Sequence, residues 1–169
     1  MKHRAYVLAA LVLVLVAVPV AVWASGPGEI ATIRRAMSQY HLLKVAEADG
    51  FEPLFECIAD PAQGAMGWHY IRGDRFNDQL SLEEPEVLIY DFEPNGEAKL
   101  VAVEYIIPAA AWAGAEPPEF LGHELKYKTT VGPHGADEGV TPYYELHVWT
   151  WRRNPSGMFA DWNPRVSCP

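Results

Sequence analysis

The chain has 169 residues, of which 22 are acidic and 13 are basic, and its net charge is −9 with neutral histidines. A surface of this charge repels nucleic-acid phosphates and anionic lipid head groups, so we expect no nucleic-acid partner. The length and the hydrophobic content of 50% are those of one domain with a substantial core.

The first residues have the pattern of a targeting segment. A basic start is formed by Lys2, His3 and Arg4. An apolar run follows over residues 5–24, interrupted by Pro19, and ends in the small-residue site Val-Trp-Ala. We therefore expect residues 1–24 to be a signal peptide cleaved after Ala24, leaving residues 25–169 as a single exported domain, periplasmic or extracellular. The run is also long enough to span a bilayer, so the alternative is an uncleaved membrane anchor with the domain outside.

The cysteine content agrees with export. Cys57 and Cys168 are the two cysteines of the chain, and an even number in an oxidising compartment favours pairing. We expect a disulfide between them. For so long a loop, the chain-entropy model gives an upper figure of about 4–5 kcal/mol of stabilisation. The alternative is two free buried thiols. The absence of a C-x-x-C motif argues against thiol catalysis.

Residues 29–48 are predicted to form one helix. Apolar side chains recur at spacings of three and four residues, at Ile33, Met37, Tyr40 and Leu43. Gly50 is placed to end the helix in a left-handed conformation. The apolar stripe is expected to pack on a sheet.

Short strands are predicted from alternating side chains and from clusters of β-branched and aromatic residues. They are Met66–Ile71, Val87–Phe92, Lys99–Pro108, Leu125–Thr130 and Tyr144–Trp151. In the last of these, the alternation places Glu145, His147, Trp149 and Trp151 on one face. The segment 109–142 is rich in Ala, Pro and Gly and is predicted to be a long loop.

The second and third of these strands are predicted to form a hairpin, because Pro94-Asn95-Gly96 lies between them. The expected pairs are Tyr90 with Val101, Leu88 with Val103, and Val87 with Glu104. Val101, Val103, Tyr105 and Ile107 then share one face, and Glu104 lies on the other. The fold class expected is α+β, with an N-terminal helix packed on a curved antiparallel sheet. The expectation includes a barrel-like sheet as the most strongly curved form.

Three ionisable side chains stand in predicted strands where apolar ones are usual: His69, Glu104 and His147. A buried carboxylate is costly unless it is paired, hydrogen-bonded or bound to a metal. Two imidazoles and a carboxylate are also a known set of ligands for a divalent transition metal. If the strands are neighbours, the three groups converge.

Three functions follow from this convergence. The preferred one is binding of a small-molecule ligand, with polar anchors from His69, Glu104 and His147 and with Tyr105 and Trp149 as aromatic walls. The second is a metal-dependent enzyme that uses the same three groups as ligands. The third is a structural or interaction protein without a pocket, in which the ionisable groups form a structural pair or lie on a solvated sheet face. No short metal-binding motif, nucleophile elbow or phosphate-binding loop is present.

Several blocks of the sequence resemble a group of exported microbial proteins of unknown function. The blocks are GAMGWHY at 64–70, PEVLIY at 85–90, LVAVEY at 100–105, PPEFLG at 117–122 and the stretch from LHVW at 146 to Cys168. Ala65 departs from the pattern, which expects a second glycine there, and residues 132–142 are outside it. The resemblance implies an exported single domain and implies nothing about catalysis.

Overall fold

The computed structural model describes residues 26–54, 56–129 and 141–168. The predicted signal segment at 1–24 and residues 130–140 of the predicted long loop lie outside these ranges. In the described part of the chain, no helix is both long enough and apolar enough to cross a membrane.

Short helices precede an antiparallel sheet, which is the expected α+β arrangement. The helical elements are α1 Pro27–Ala36, a 3-10 helix Ser38–His41, α2 Leu43–Ala48 and a 3-10 turn Gly73–Arg75. The strands are β1 Glu52–Pro53, β2 Ile58–Asp60, β3 Gly64–Ile71, β4 Val87–Phe92, β5 Ala98–Pro108, β6 Glu119–Phe120, β7 His123–Glu124, β8 Lys126–Lys128 and β9 Tyr143–Val148.

In the described residues the main sheet is open and does not close into a barrel. Its order is β1-β3-β4-β5-β9-β8, with β2 also paired to β3, and all the pairings are antiparallel. β6 and β7 form a separate small hairpin. The barrel-like expectation is wrong because each face of the sheet is covered by other parts of the chain, so the sheet does not have to curl upon itself to bury its side chains.

The helical segment covers one face of the sheet. The apolar residues that it contributes to this core are Ile30, Ile33, Met37, Tyr40 and Ala46. They pack against alternate residues of the central strands, which include Leu88, Val103, Tyr105, Ile107, Leu146 and Val148. The predicted apolar stripe is therefore a packing face.

The expectation of one continuous helix over residues 29–48 is wrong, because the chain turns after Met37 and again at Leu42. The Tyr90 hydroxyl donates to the Tyr40 carbonyl at 2.6 Å, which removes an acceptor that a continuous helix would use. The Ser38 hydroxyl likewise donates to the Arg35 carbonyl. Gly50 has a φ of 90° and ends α2 as predicted.

The opposite face of the sheet is covered by the C-terminal tail, residues 149–168. Trp149, Val166 and Cys168 pack there with Val87, Ile89, Ala102 and Ile106. Ala65 forms an antiparallel bridge with Asn163, and a disulfide joins Cys57 to Cys168 with 5.5 Å between the Cα atoms. The predicted disulfide is confirmed, and it indicates an oxidising compartment of the kind found outside the cytosol.

The register of the β4–β5 hairpin agrees with the prediction at Val87–Glu104 and Leu88–Val103 but not beyond. Tyr90 lies opposite Leu100 instead of Val101, because β5 has a bulge at this point. The Val101 carbonyl accepts the backbone N–H groups of Trp151 and Arg152, at 3.1 and 3.2 Å. Val101 consequently joins the core under the tail and not the face of Val103.

β9 ends at Val148, three residues before the predicted end of the strand. The Trp149 N–H donates to the Met158 carbonyl, so the chain has already left the sheet. Trp149 packs between the rest of the tail and the sheet, on the side of His147, as the alternation predicted. Trp151 packs instead against the core of the helical face, so the predicted alternation fails there.

The close packing of the tail against β3 can be tested by substitution of Gly64. Its φ is 99°, and a Cβ placed there would lie 2.4 Å from the Asn163 carbonyl oxygen and 2.5 Å from the Pro164 Cα. Backbone atoms cannot rotate away as a side chain can, so Gly64→Ala should lower the free energy of unfolding by about 2–4 kcal/mol in urea titration. In Gly73→Ala a Cβ meets no atom within 4 Å, and the change should stay below about 1 kcal/mol. Equal effects of the two substitutions would contradict the close packing of the tail.

Glu86 is predicted to make stability depend on pH. The Ile106 N–H donates to its carboxyl group at 3.0 Å, and burial raises the pKa of Glu86 from 4.5 to about 7. Since the folded chain then holds this proton more tightly than the unfolded chain, its contribution to stability is present below pH 4.5. It is lost as the pH rises through 7, by up to about 3 kcal/mol.

Glu86→Gln, which keeps an acceptor for the Ile106 N–H, should therefore gain stability relative to the wild type between pH 4.5 and 8. Urea titrations at a series of pH values measure this difference. The exposed Glu119→Gln is the control and should follow the wild-type profile. Parallel profiles for Glu86→Gln and the wild type would contradict the raised pKa.

Candidate functional site

The three predicted ionisable residues meet under the tail. Glu104 of β5 lies directly opposite His147 of β9. His69 of β3 reaches the same face across β4, since it pairs with Ile89 and Ile89 pairs with Ala102, two residues before Glu104. All three are buried, with at most 4% of each residue exposed. The convergence predicted from the sequence is confirmed, and the interpretation of a solvated face is wrong because the tail excludes water from it.

The ligand-type atoms of this His69–Glu104–His147 cluster lie within 4.8 Å of one another. The two Nε2 atoms of His69 and His147 are 3.5 Å apart, and Nε2 of His69 is 3.7 Å from Oε2 of Glu104. Nδ1 of His147 is 4.0 Å from Oε1 of Glu104. These spacings are compatible with a metal ion or another small ligand held between the three side chains.

The hydrogen-bond partner of His69 determines its tautomer. Nδ1 of His69 lies 3.2 Å from the Gly67 carbonyl oxygen, which can only accept, so Nδ1 carries the proton. Nε2 of His69 then presents a lone pair to the centre of the cluster.

His147 lies near two carboxylates. Its Nδ1 is 3.8 Å from Oε1 of Glu145 and 3.9 Å from Oδ1 of Asp161, which is too far for a hydrogen bond, and it has no hydrogen-bond partner among the described residues. Nε2 of His147 lies 3.5 Å from Nε2 of His69. With the His147 proton on Nε2 this approach is a hydrogen bond to the lone pair of His69, and with the proton on Nδ1 it leaves two lone pairs facing each other.

Burial keeps the cluster free of positive charge. It lowers the pKa of His69 to about 3, with a further contribution from His147, and burial also lowers the pKa of His147. Both imidazoles are thus neutral at pH 7, and their approaches to Glu104 are not ion pairs. Burial, and then repulsion by Glu145, raise the pKa of Glu104 well above its ordinary value. The cluster therefore consists of two neutral imidazoles and a carboxyl group that keeps its proton and is hydrogen-bonded to Glu145.

A second group of charges adjoins the first through His147. Lys128 Nζ lies 2.9 Å from Oε1 of Glu145 and 2.9 Å from Oδ2 of Asp161, and Lys126 also contacts Asp161. Burial opposes the charge on Lys128, but the two carboxylates outweigh it and raise its pKa. Lys126 and Lys128 therefore neutralise the two carboxylates that lie on the Nδ1 side of His147.

The two aromatic residues predicted to line the site lie on different faces of the sheet, and only one of them borders the cluster. Tyr105 lies on the opposite face of the sheet, where its hydroxyl donates to the Leu82 carbonyl at 3.1 Å, so it does not join the cluster. Trp149 does border it: its indole lies nearly parallel to the His147 ring at a centroid distance of 6.4 Å. Its Nε1–H donates to the Ala160 carbonyl.

The sequence-based prediction missed Glu145, Asp161 and Lys128 as neighbours of the site. The signal for Glu145 was present, since it precedes His147 by two residues on the same strand and must share its face. Asp161 lies in the irregular tail and Lys128 on the edge strand β8, where no side-chain period indicates a position.

Comparison with protein-family models, curated proteins and solved structures finds no match to this chain. Any assignment of function therefore rests on the chemistry of the buried His–Glu–His group, which is compatible with binding of a metal ion or another ligand.

Lys128 is predicted to stabilise the fold by neutralising Glu145 and Asp161 beside His147. Its replacement in Lys128→Met leaves the buried Glu145 without its closest cation, so the free energy of unfolding should fall by about 2–4 kcal/mol. Combining it with Glu145→Gln should recover at least about 1 kcal/mol, measured as a double-mutant cycle in urea. Lys99→Met, which breaks the exposed pair with Glu97, is the matched control and should cost less than about 1 kcal/mol. Additive effects of the two cluster substitutions would rule out the coupling.

Proposed function

We propose that this is an exported protein that binds a divalent transition-metal ion through His69, Glu104 and His147. The observation that carries the proposal is the convergence of two buried imidazoles and a buried carboxyl group, whose ligand-type atoms lie within 4.8 Å of one another. The proton of His69 is on Nδ1, so its Nε2 directs a lone pair to the centre of the cluster, 3.5 Å from Nε2 of His147, where a cation could be bound by both rings.

The spacing supports the same proposal. A tetrahedral ion with metal–nitrogen bonds of about 2.0–2.1 Å holds two ligand nitrogens about 3.4 Å apart. The separation of the two Nε2 atoms is 3.5 Å, and that from His69 Nε2 to Glu104 Oε2 is 3.7 Å. The cluster therefore needs only small side-chain adjustments to enclose one ion.

The surroundings of the two imidazoles are those of metal ligands. Metal-bound histidines commonly donate their second N–H to a backbone carbonyl or a carboxylate, which fixes the ring and increases its basicity. The Gly67 carbonyl has this position at His69. At His147 the carboxylates of Glu145 and Asp161 lie 3.8 and 3.9 Å from Nδ1, close enough to accept its N–H after a small side-chain movement. Imidazole and carboxylate ligands suit Zn²⁺, Fe²⁺, Cu²⁺ and Ni²⁺, and both cysteines are occupied by the disulfide.

Metal binding without an assigned reaction is the function that the geometry supports best. Three protein ligands are the number used by catalytic zinc sites, in which water takes the fourth position. Here the tail covers the ligands, and a substrate could reach the ion only after the tail moved. An organic ligand among the same three side chains is disfavoured, because their ligand-type atoms lie within 4.8 Å of one another.

Export is the second part of the proposal. We propose that residues 1–24 direct the chain out of the cytoplasm and are cleaved after Ala24. The disulfide supports an oxidising destination, and the resemblance of the sequence blocks to exported microbial proteins points to the same compartment. Mass spectrometry of the protein secreted by a host cell tests it, since the mature chain should begin at Ser25.

Metal content tests the site. Protein purified without an affinity tag should contain about one equivalent of a transition metal by plasma mass spectrometry, or should take up one equivalent of added Zn²⁺. X-ray absorption of the Zn²⁺ form should show two imidazole nitrogens at about 2.0–2.1 Å. Bound Zn²⁺ should also raise the melting temperature, because it binds the folded chain preferentially.

The substitutions Glu104→Gln and His147→Ala should each weaken Zn²⁺ binding by at least about tenfold. Glu104→Gln keeps the shape of the side chain, so it serves if His147→Ala does not fold. The exposed β7 pair offers matched controls, and His123→Ala and Glu124→Gln should bind Zn²⁺ as the wild type does. Equal Zn²⁺ affinity in the cluster and control variants would overturn the proposal.

A further inference from the structure

A groove near the end of β9 has the chemistry of a second site, separate from the His69–Glu104–His147 cluster. It has a volume of about 370 Å³ and lies between α1 and the chain that follows β9. The lining residues used below are Arg34, Trp149, Thr150, Trp151, Arg153 and Met158. We name it the indole groove, and we propose that it binds a small organic monoanion, a carboxylate attached to a flat apolar body. This inference does not depend on the proposed metal site.

Two arginines supply positive charge without compensation. Neither Arg34 nor Arg153 forms an ion pair with any carboxylate of the described residues, although the chain has 22 acidic against 13 basic residues. Arg34 is held in place, since its Nε and Nη2 donate to the Thr150 carbonyl at 2.8 and 2.5 Å. A guanidinium has five N–H donors, so others remain for an anionic ligand.

Thr150 adds a buried hydroxyl without a partner. The residue is 1% exposed, and its Oγ1 has no hydrogen-bond partner in the described part of the chain. Burying a hydroxyl unpaired is unfavourable, and a ligand oxygen in the groove would supply the missing bond. This hydroxyl and the two guanidiniums together favour a ligand rich in acceptors.

Apolar surfaces limit what else the ligand carries. Trp149 and Trp151 both line the groove, Trp149 as a buried wall residue and Trp151 half-buried, and Met158 beside them is 38% exposed. Flat rings and a flexible thioether favour an aromatic or similarly flat body. The volume lies within the range of small-molecule sites, and the strongly acidic chain disfavours a polyanion. An aromatic monocarboxylate satisfies all these conditions.

The test compares 1-naphthoate with the neutral 1-naphthamide, using protein treated with a chelator. Binding is measured by calorimetry and by the shifts of indole N–H signals in ¹⁵N–¹H spectra. We expect naphthoate to bind and to shift the Trp149 and Trp151 signals, and we expect naphthamide to bind at least about tenfold more weakly, since a lost charge-assisted hydrogen bond has this effect. Equal binding of both probes, or shifts elsewhere, overturns the proposal.

Variants separate a built site from general attraction. Arg153→Gln should weaken naphthoate binding by about tenfold, and Arg165→Gln, which removes the same charge from an exposed position outside the groove, should leave it unchanged. Thr150→Val should weaken naphthoate binding while leaving the melting temperature of the free protein unchanged or higher, because it removes an unpaired hydroxyl. Equal effects of Arg153→Gln and Arg165→Gln show a nonspecific attraction and overturn the proposal.

The two proposals can be tested separately. Glu104→Gln, which should lose Zn²⁺ binding, should bind naphthoate as the wild type does.

Discussion

The removal of Glu104 from water is the constraint on which the rest of the structure depends. It occupies the centre of β5, opposite His147, with 2% of its surface exposed. A carboxyl group in this position must be protonated, paired or bound to a metal, since an isolated ionised carboxylate is too costly to bury. The imidazoles of His69 and His147 lie next to this carboxyl group, and so does the second group of charges, which contains Glu145, Asp161, Lys126 and Lys128.

The tail creates this constraint, and the disulfide maintains it. Without residues 149–168 the second face of the sheet would be solvated, and Glu104 and His147 would be ordinary surface residues. The tail is seated by the bridge between Ala65 and Asn163 and by the bond from Cys57 to Cys168. The covalent link closes a separation of 111 residues in sequence, so it holds the cover in place even though the tail has little regular structure of its own.

Local patterns predicted the strands β3, β4, β5, β8 and β9 and the three central residues of the site, but not the short strands β1, β2, β6 and β7. Long-range contacts decided the rest. The alternation in β5 puts Glu104 on the face opposite Val103, and the turn at 94–96 aligns it with Val87. The same alternation could have excluded Tyr105, because a neighbour in a strand must point to the other face. The bulge at Val101 was not predictable, since N–H groups some fifty residues later in the chain stabilise it. Asp161 likewise reaches His147 only because the disulfide-anchored tail folds back.

The charges around His147 bear on the proposed metal site. On the Nδ1 side, Lys126 and Lys128 balance Glu145 and Asp161, so that side is neutral without help. Glu104 lies 3.7 Å from Nε2 of His69 and 4.0 Å from Nδ1 of His147, and burial and then Glu145 raise its pKa. A proton on Glu104 leaves it and the two imidazoles neutral as a group. A divalent ion at the proposed site would displace that proton and bind both imidazoles and the carboxylate together.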